Sequence, residues 1–149
     1  MEIRQVMKRL RAAVIVLPII LGTIANAADR QEPALSAAEQ VMVSRQIATL
    51  KSATDRQVAE GWSNAKKVAE LICRPAALPV LKKQTKGVDR VFLGTDDPQS
   101  LNLESNQRLT GSGTFRTAQG WQDFTFTCKV NPETGEVTKF EATPIAAKP

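Results

Sequence analysis

A chain of 149 residues has room for one ordinary domain and little more. It contains no histidine, which excludes Ser-His-Asp and Cys-His catalysis and removes the commonest zinc ligand. The net charge of +5 belongs mostly to the first eleven residues; beyond residue 27 there remain 16 basic and 14 acidic side chains, too even a balance for the basic stripe of a nucleic-acid binder.

Residues 1–27 carry the pattern of a cleavable secretory signal peptide. Arg4, Lys8, Arg9 and Arg11 form a positive start, and Ala12 to Ile24 is an uncharged, mostly apolar run. Ala25-Asn26-Ala27 then places small residues where the peptidase reads, which predicts cleavage before Ala28. A retained anchor is the alternative, but the run falls short of the ~20 apolar residues of a comfortable span. No cysteine follows it, which speaks against a lipoprotein. The expected location is periplasmic or secreted, with no stable membrane span after cleavage.

The expected organisation is a polar lead-in over 28–35, one domain over 36–143, and a frayed tail over 144–149. Ser36 and Glu39 have the spacing of a capping box, with Val43, Ile47 and Leu50 following at helical intervals. Thr54 to Ile72 reads as the stronger helix, because Val58, Trp62, Ala65, Ala69 and Ile72 form one stripe. The spacing leaves open whether 36–72 is one bent helix or two, with a break placed at Lys51 to Asp55. Cys73 continues the stripe. Pro75 opens a further short helix over Ala76 to Lys86, and Gly87 suits the position after its end.

From Val88 the pattern is β. Val88 to Leu93 is rich in β-formers, Asp96-Asp97-Pro98 marks a turn, and Leu101 and Leu103 fit a very short strand. Gly111-Ser112-Gly113 lacks the flanks of a phosphate loop or nucleophile elbow and reads as a bend or bulge. The best strand is Trp121 to Val130, where Phe124, Phe126, Cys128 and Val130 alternate with polar residues. Asn131 to Gly135 is a hairpin loop, and Glu136 to Thr143 is the returning strand. A strand with one apolar and one polar face belongs to a sheet covered on one side. The predicted fold class is therefore α+β: N-terminal helices packed on one face of a four- or five-stranded antiparallel meander, stapled by one disulfide. Cys73 and Cys128 are the only cysteines, each lies on the apolar face of its element, and an oxidising compartment favours their pairing.

An ordered set of residues carries a family resemblance. Leu71-Ile72-Cys73 is followed by Asp89-Arg90-Val91, by Gly113-x-Phe115-Arg116, by Trp121, Phe124, Phe126, Cys128, Val130 and Pro132, and by Val137 and Phe140. From about Leu71 to Phe140 the chain resembles an uncharacterised family of secreted bacterial domains of unknown function. The resemblance implies export and a paired cysteine. It brings no activity, cofactor or catalytic residue.

Chemistry-bearing residues are few. With both cysteines bridged no thiolate nucleophile remains, and a bridge closing 55 residues is unlike the close pair of a redox site. Asp96, Asp97 and Glu104 share a loop-rich segment and fit either a cation or acid–base pair or ordinary turn chemistry, the latter being the simpler reading. Lys82, Lys83 and Lys86 suit an anionic polymer or, more simply, a solvated helix end. Arg116 and Trp121 are the surface residues singled out: Trp121 falls on the polar face of its strand by parity, and an exposed Trp beside an Arg fits an interface hot spot or a sugar-stacking platform, while a Trp covering a sheet edge or packing under a loop is the structural alternative. The expectation is an exported, non-enzymatic envelope protein, a small binding or interaction module. Its partner is an unidentified protein or glycan of the cell envelope, and no nucleic acid. No catalytic residue, metal or cofactor is expected. A carboxylate-based hydrolase and an inhibitor of another exported protein are the alternatives.

Overall fold

Ser36 and Glu39 start the first helix as their spacing predicts. In the computed structural model, which describes residues 31–146, the Glu39 N–H donates to Ser36 Oγ at 3.1 Å and the Ser36 N–H donates to Glu39 Oε2 at 2.7 Å. The predicted leader, residues 28–30 of the lead-in and the last three residues of the tail lie outside the described residues. The reciprocal cap opens α1, Ala37–Ala48. Glu39 is fully buried, and its second oxygen, Oε1, has no partner.

The expected long helix over Thr54 to Ile72 is interrupted. α2 is Ala53–Glu60, capped by Ser52, and a new helix, α3, starts at Asn64–Lys67. Ser63 caps α3 by accepting from the Lys66 N–H, so the chain stops and restarts around Gly61. The predicted stripe is correspondingly broken: Val58 is 55% exposed and Trp62 only half-buried, while Ala65, Ala69 and Ile72 remain in the core. The break expected at Lys51 to Asp55 lies slightly earlier, at residues 49–52 between α1 and α2.

From Asn64 to Gln84 the helix then runs on without the predicted stop at Ile72. α3 passes through a π-helical turn, Val68–Cys73, into α4, Arg74–Gln84. The Arg74 N–H reaches back five residues to the Ala69 carbonyl. Pro75 and Pro79 have no N–H for the Leu71 and Pro75 carbonyls, and the wide turn lies immediately before the first of these defects. Gly87, at φ +83°, reverses the chain after α4.

The sheet is an antiparallel meander with a divided edge. β1, Arg90–Leu93, and β2, Leu101–Ser105, lie end to end along β3, Arg108–Thr117. β4, Gly120–Val130, and β5, Val137–Pro144, follow by hairpins, giving the order β1/β2, β3, β4, β5. β5 runs one residue further than predicted, and the Ile145 N–H still donates to the Asp123 carbonyl.

Gly111 and Gly113 are not a bend or bulge. They sit inside the regular β3–β4 ladder, opposite Phe126 and Phe124. A Cβ on Gly111 would collide with the Ser100 carbonyl oxygen, and one on Gly113 with the Phe92 carbonyl oxygen and, at 2.9 Å, with Phe124 Cζ. Glycine is there because the backbone of Phe92 in β1, the backbone at Ser100 just before β2, and the Phe124 ring approach β3 closely.

One face of the sheet is core. Phe115, Phe124, Phe126 and Phe140 form a chain of ring contacts across β3, β4 and β5, with centroids 5.5–6.1 Å apart. α4 and the π-helical turn pack on this face, α3 packs on β2, and α1 packs against the π-helical turn, with Val43, Ile47, Val68, Ala77 and Leu81 in the common core. Phe115 and Phe124 are completely buried, which contributes roughly 2–3 kcal/mol each. The Cys73–Cys128 disulfide joins the end of the π-helical turn to β4, with α-carbons 6.2 Å apart. The fold is thus α+β, helices on one face of an antiparallel sheet with one disulfide between the layers. The opposite face carries Arg90, Phe92, Thr114, Arg116, Trp121, Asp123 and Thr125, all exposed or half-buried.

Candidate functional site

The β3–β4 hairpin places Trp121. Gly120, at φ +121°, closes the turn, and the register then sets Trp121 directly across from Arg116 on the open face. Trp121 is 53% exposed, so it does not pack under a loop, while its ring reaches over the sheet to Phe92 of the edge strand β1, as a Trp covering a sheet edge would. The Arg116 guanidinium lies 5.8 Å from the centre of the Trp121 ring.

Two further residues complete the cluster, and the sequence reading did not assign them to a site. Phe92 of β1 stacks on Trp121 with centroids 5.6 Å apart and planes 28° from parallel, while remaining 40% exposed. Asp89 accepts two hydrogen bonds from Arg116, Nε to Oδ1 at 2.9 Å and Nη2 to Oδ2 at 2.8 Å. The bond from Arg116 holds the Asp89 carboxyl below its ordinary range, and the same bond pushes the Arg116 guanidinium up. The Asp89 N–H also donates to the Arg116 carbonyl. Arg116 is therefore charge-neutralised, held bidentately and unavailable as a free cation. The signal for Phe92 is strand parity: in Arg90-Val91-Phe92-Leu93 the two buried residues are Val91 and Leu93, leaving Phe92 on the polar side. Asp89 lies 27 residues from Arg116 in sequence, and only the register brings them together.

Phe92 belongs also to a groove of about 650 Å³ on the other side of β1. Arg74, Pro75, Leu78 and Pro79 of α4 form one wall and Asp89 to Phe92 the other.

Of the remaining candidates, Asp97 and Glu104 serve local structure, and Asp96 lies exposed in the turn between β1 and β2. Asp97 accepts from the Gln99 N–H at 2.8 Å, capping a short 3₁₀ turn, Pro98–Ser100. Glu104 pairs with Arg108 at 2.9 Å and accepts from the Thr110 hydroxyl. Lys82 and Lys83 lie exposed in the last turn of α4, and Lys86 lies beyond it. Among the described residues there is no group of three or more side chains that could hold a metal ion, and no helix is long and apolar enough to cross a membrane.

No curated protein and no solved structure matches the chain. A family model described as Domain of Unknown Function (DUF930) matches residues 63–143, from the Ser63 cap of α3 to the second-to-last residue of β5, and leaves out α1 and α2. That span is more than half of the chain and contains both cysteines, Asp89, Phe92, Arg116 and Trp121, and the protein belongs to this family of unknown function.

Proposed function

We propose that the protein is an exported, non-enzymatic binding module of the cell envelope, and that it recognises a protein or glycan through the open face of its sheet. The observation that carries this reading is the cluster of Phe92, Trp121, Arg116 and Asp89. Exposed aromatic rings lose contact with water on binding, and residues of these types dominate interface energies. The Asp89–Arg116 bonds order the patch in advance, which lowers the entropy lost when a ligand docks. The leader-like residues 1–27 and the disulfide support export. A carboxylate-based hydrolase draws less support, because Asp97 and Glu104 are engaged in a local cap and an ion pair. An inhibitor of another exported protein is one form of the same reading.

Trp121→Ala tests it. The variant keeps the fold, since the ring is outside the core, and weakens capture of the envelope partner by more than ~2 kcal/mol. Equal loss of folding and binding would make Trp121 a structural residue and refute the reading.

A further inference from the structure

We propose that the free edge of β1 takes up an extended peptide segment as an additional strand, with apolar side chains on both faces and a carboxylate near Arg90. This rests on the binding-module reading and names its partner class.

Among the described residues β1 is an edge strand, and its partner on one side is β3. The Gly94 N–H donates to the Ser112 carbonyl, which sets the alternation of the ladder. Phe92 and Thr114 therefore exchange bonds as the next such pair, and Val91 and Leu93 turn their N–H and C=O groups away from β3. Such a row is a template for strand addition unless something covers it. The opposite edge is guarded: Gln84 of α4 donates to the Ala142 carbonyl of β5 at 3.2 Å.

The groove beside β1 fits this use. Asp89, Arg90, Val91 and Phe92 all line it, although successive strand residues point to opposite faces. A cavity that meets all four opens along the strand's edge. An added strand would send alternate side chains to opposite faces. One set meets Leu78, Pro79 and Val91, and the other meets the Phe92–Trp121 pair. Apolar surface on both faces together with unpaired backbone groups fits a peptide better than a glycan.

Charge selects the occupant. Arg74 and Arg90 flank the groove; Arg74 pairs with Glu70 at 2.9 Å and Asp89 is held by Arg116, whereas Arg90 has no ion pair among the described residues. A peptide carboxylate complements Arg90. A second copy of this chain, pairing edge to edge, would instead bring two sets of these arginines into one interface.

The probe is an acetylated, amidated ten-residue peptide with valines on both faces of the strand, threonines towards its ends and one aspartate, added to the unmodified protein. Near saturation, exchange of the Val91 and Leu93 amide hydrogens should slow by about tenfold or more. Replacing the aspartate with lysine should weaken binding by roughly fivefold. N-methylation of the alternate peptide residues that face β1 should abolish binding, and methylation of the other set should leave it intact. Slowed exchange at both amides with this methylation pattern supports the proposal. Failure of the peptide to bind, or binding with Val91 and Leu93 exchanging as before, overturns it. So does slowing that appears with protein concentration alone, which would assign the edge to a second copy. Loss of edge pairing alongside Trp121-dependent capture of an envelope partner would overturn this proposal and leave the binding-module reading standing.

Discussion

Replacing both Cys73 and Cys128 with alanine tests how the two layers are held together. The bridge closes a loop of 55 residues. In the chain-entropy model such a loop removes about 14 cal/mol/K from the unfolded state, or about 4 kcal/mol at 25 °C. That is a large share of a domain stability of about 5–15 kcal/mol. Alanine suits the test because both sulfurs are fully buried in an apolar core, where a serine hydroxyl would add a separate desolvation cost. Urea unfolding followed by circular dichroism should give a midpoint lowered in proportion, and a steeper dependence on urea because the uncrosslinked chain exposes more surface. Reducing the native protein should reproduce most of the shift. A double variant within ~1 kcal/mol of the native protein would refute the reasoning.

Three other outcomes follow from the geometry. Gly113→Ala should cost about 2 kcal/mol or more, because the new methyl meets a β1 carbonyl and the Phe124 ring; a thermal midpoint equal to that of the native protein would contradict the close approach. Asp89 has a lowered folded-state pKa, so the stability it adds is fully present above its unfolded value near 4 and is lost as the pH falls through the lower folded value. The gap in midpoint between native protein and Asp89→Asn should therefore close on acidification, and a gap undiminished at pH 2 would sink the assignment. Protein isolated from the cell envelope should have the intact mass of a chain starting at Ala28; a membrane-bound species retaining Met1 would overturn the export reading.

Much of the architecture was legible in local pattern. Ser36 and Glu39, the alternation from Phe124 to Val130, and the Asn131 to Gly135 turn each act through neighbours in sequence, so spacing alone revealed them. The helix break around Gly61 is hidden in the pattern, because a glycine alone costs a helix only ~1 kcal/mol and Val58 and Trp62 keep helical spacing on both sides of it. Ser63 was the available signal, since a serine three residues before a helical N–H is a cap. The π-helical turn had a weaker trace in Pro75 and Pro79. Gly111 and Gly113 were misread for a different reason: what they accommodate is tertiary, the backbone of Phe92 and Ser100 and the ring of Phe124. At the site, parity puts Trp121 on the polar face, where the structure has it across from Arg116. Asp89 and Phe92 joined them only through the β1–β3 register, which a sequence does not display.

The central claim is that Trp121 and its neighbours form a contact surface rather than part of the core. Trp62 and Trp121 are the only tryptophans, so Trp62→Phe leaves Trp121 as the sole indole emitter. In the free variant its emission should be that of a water-exposed indole. Titration with soluble envelope extract, and separately with the valine-rich peptide, should move the emission to shorter wavelength and protect the ring from an aqueous quencher. Ligand binding with the emission and quenching of Trp121 unchanged would place recognition elsewhere on the protein and contradict the account.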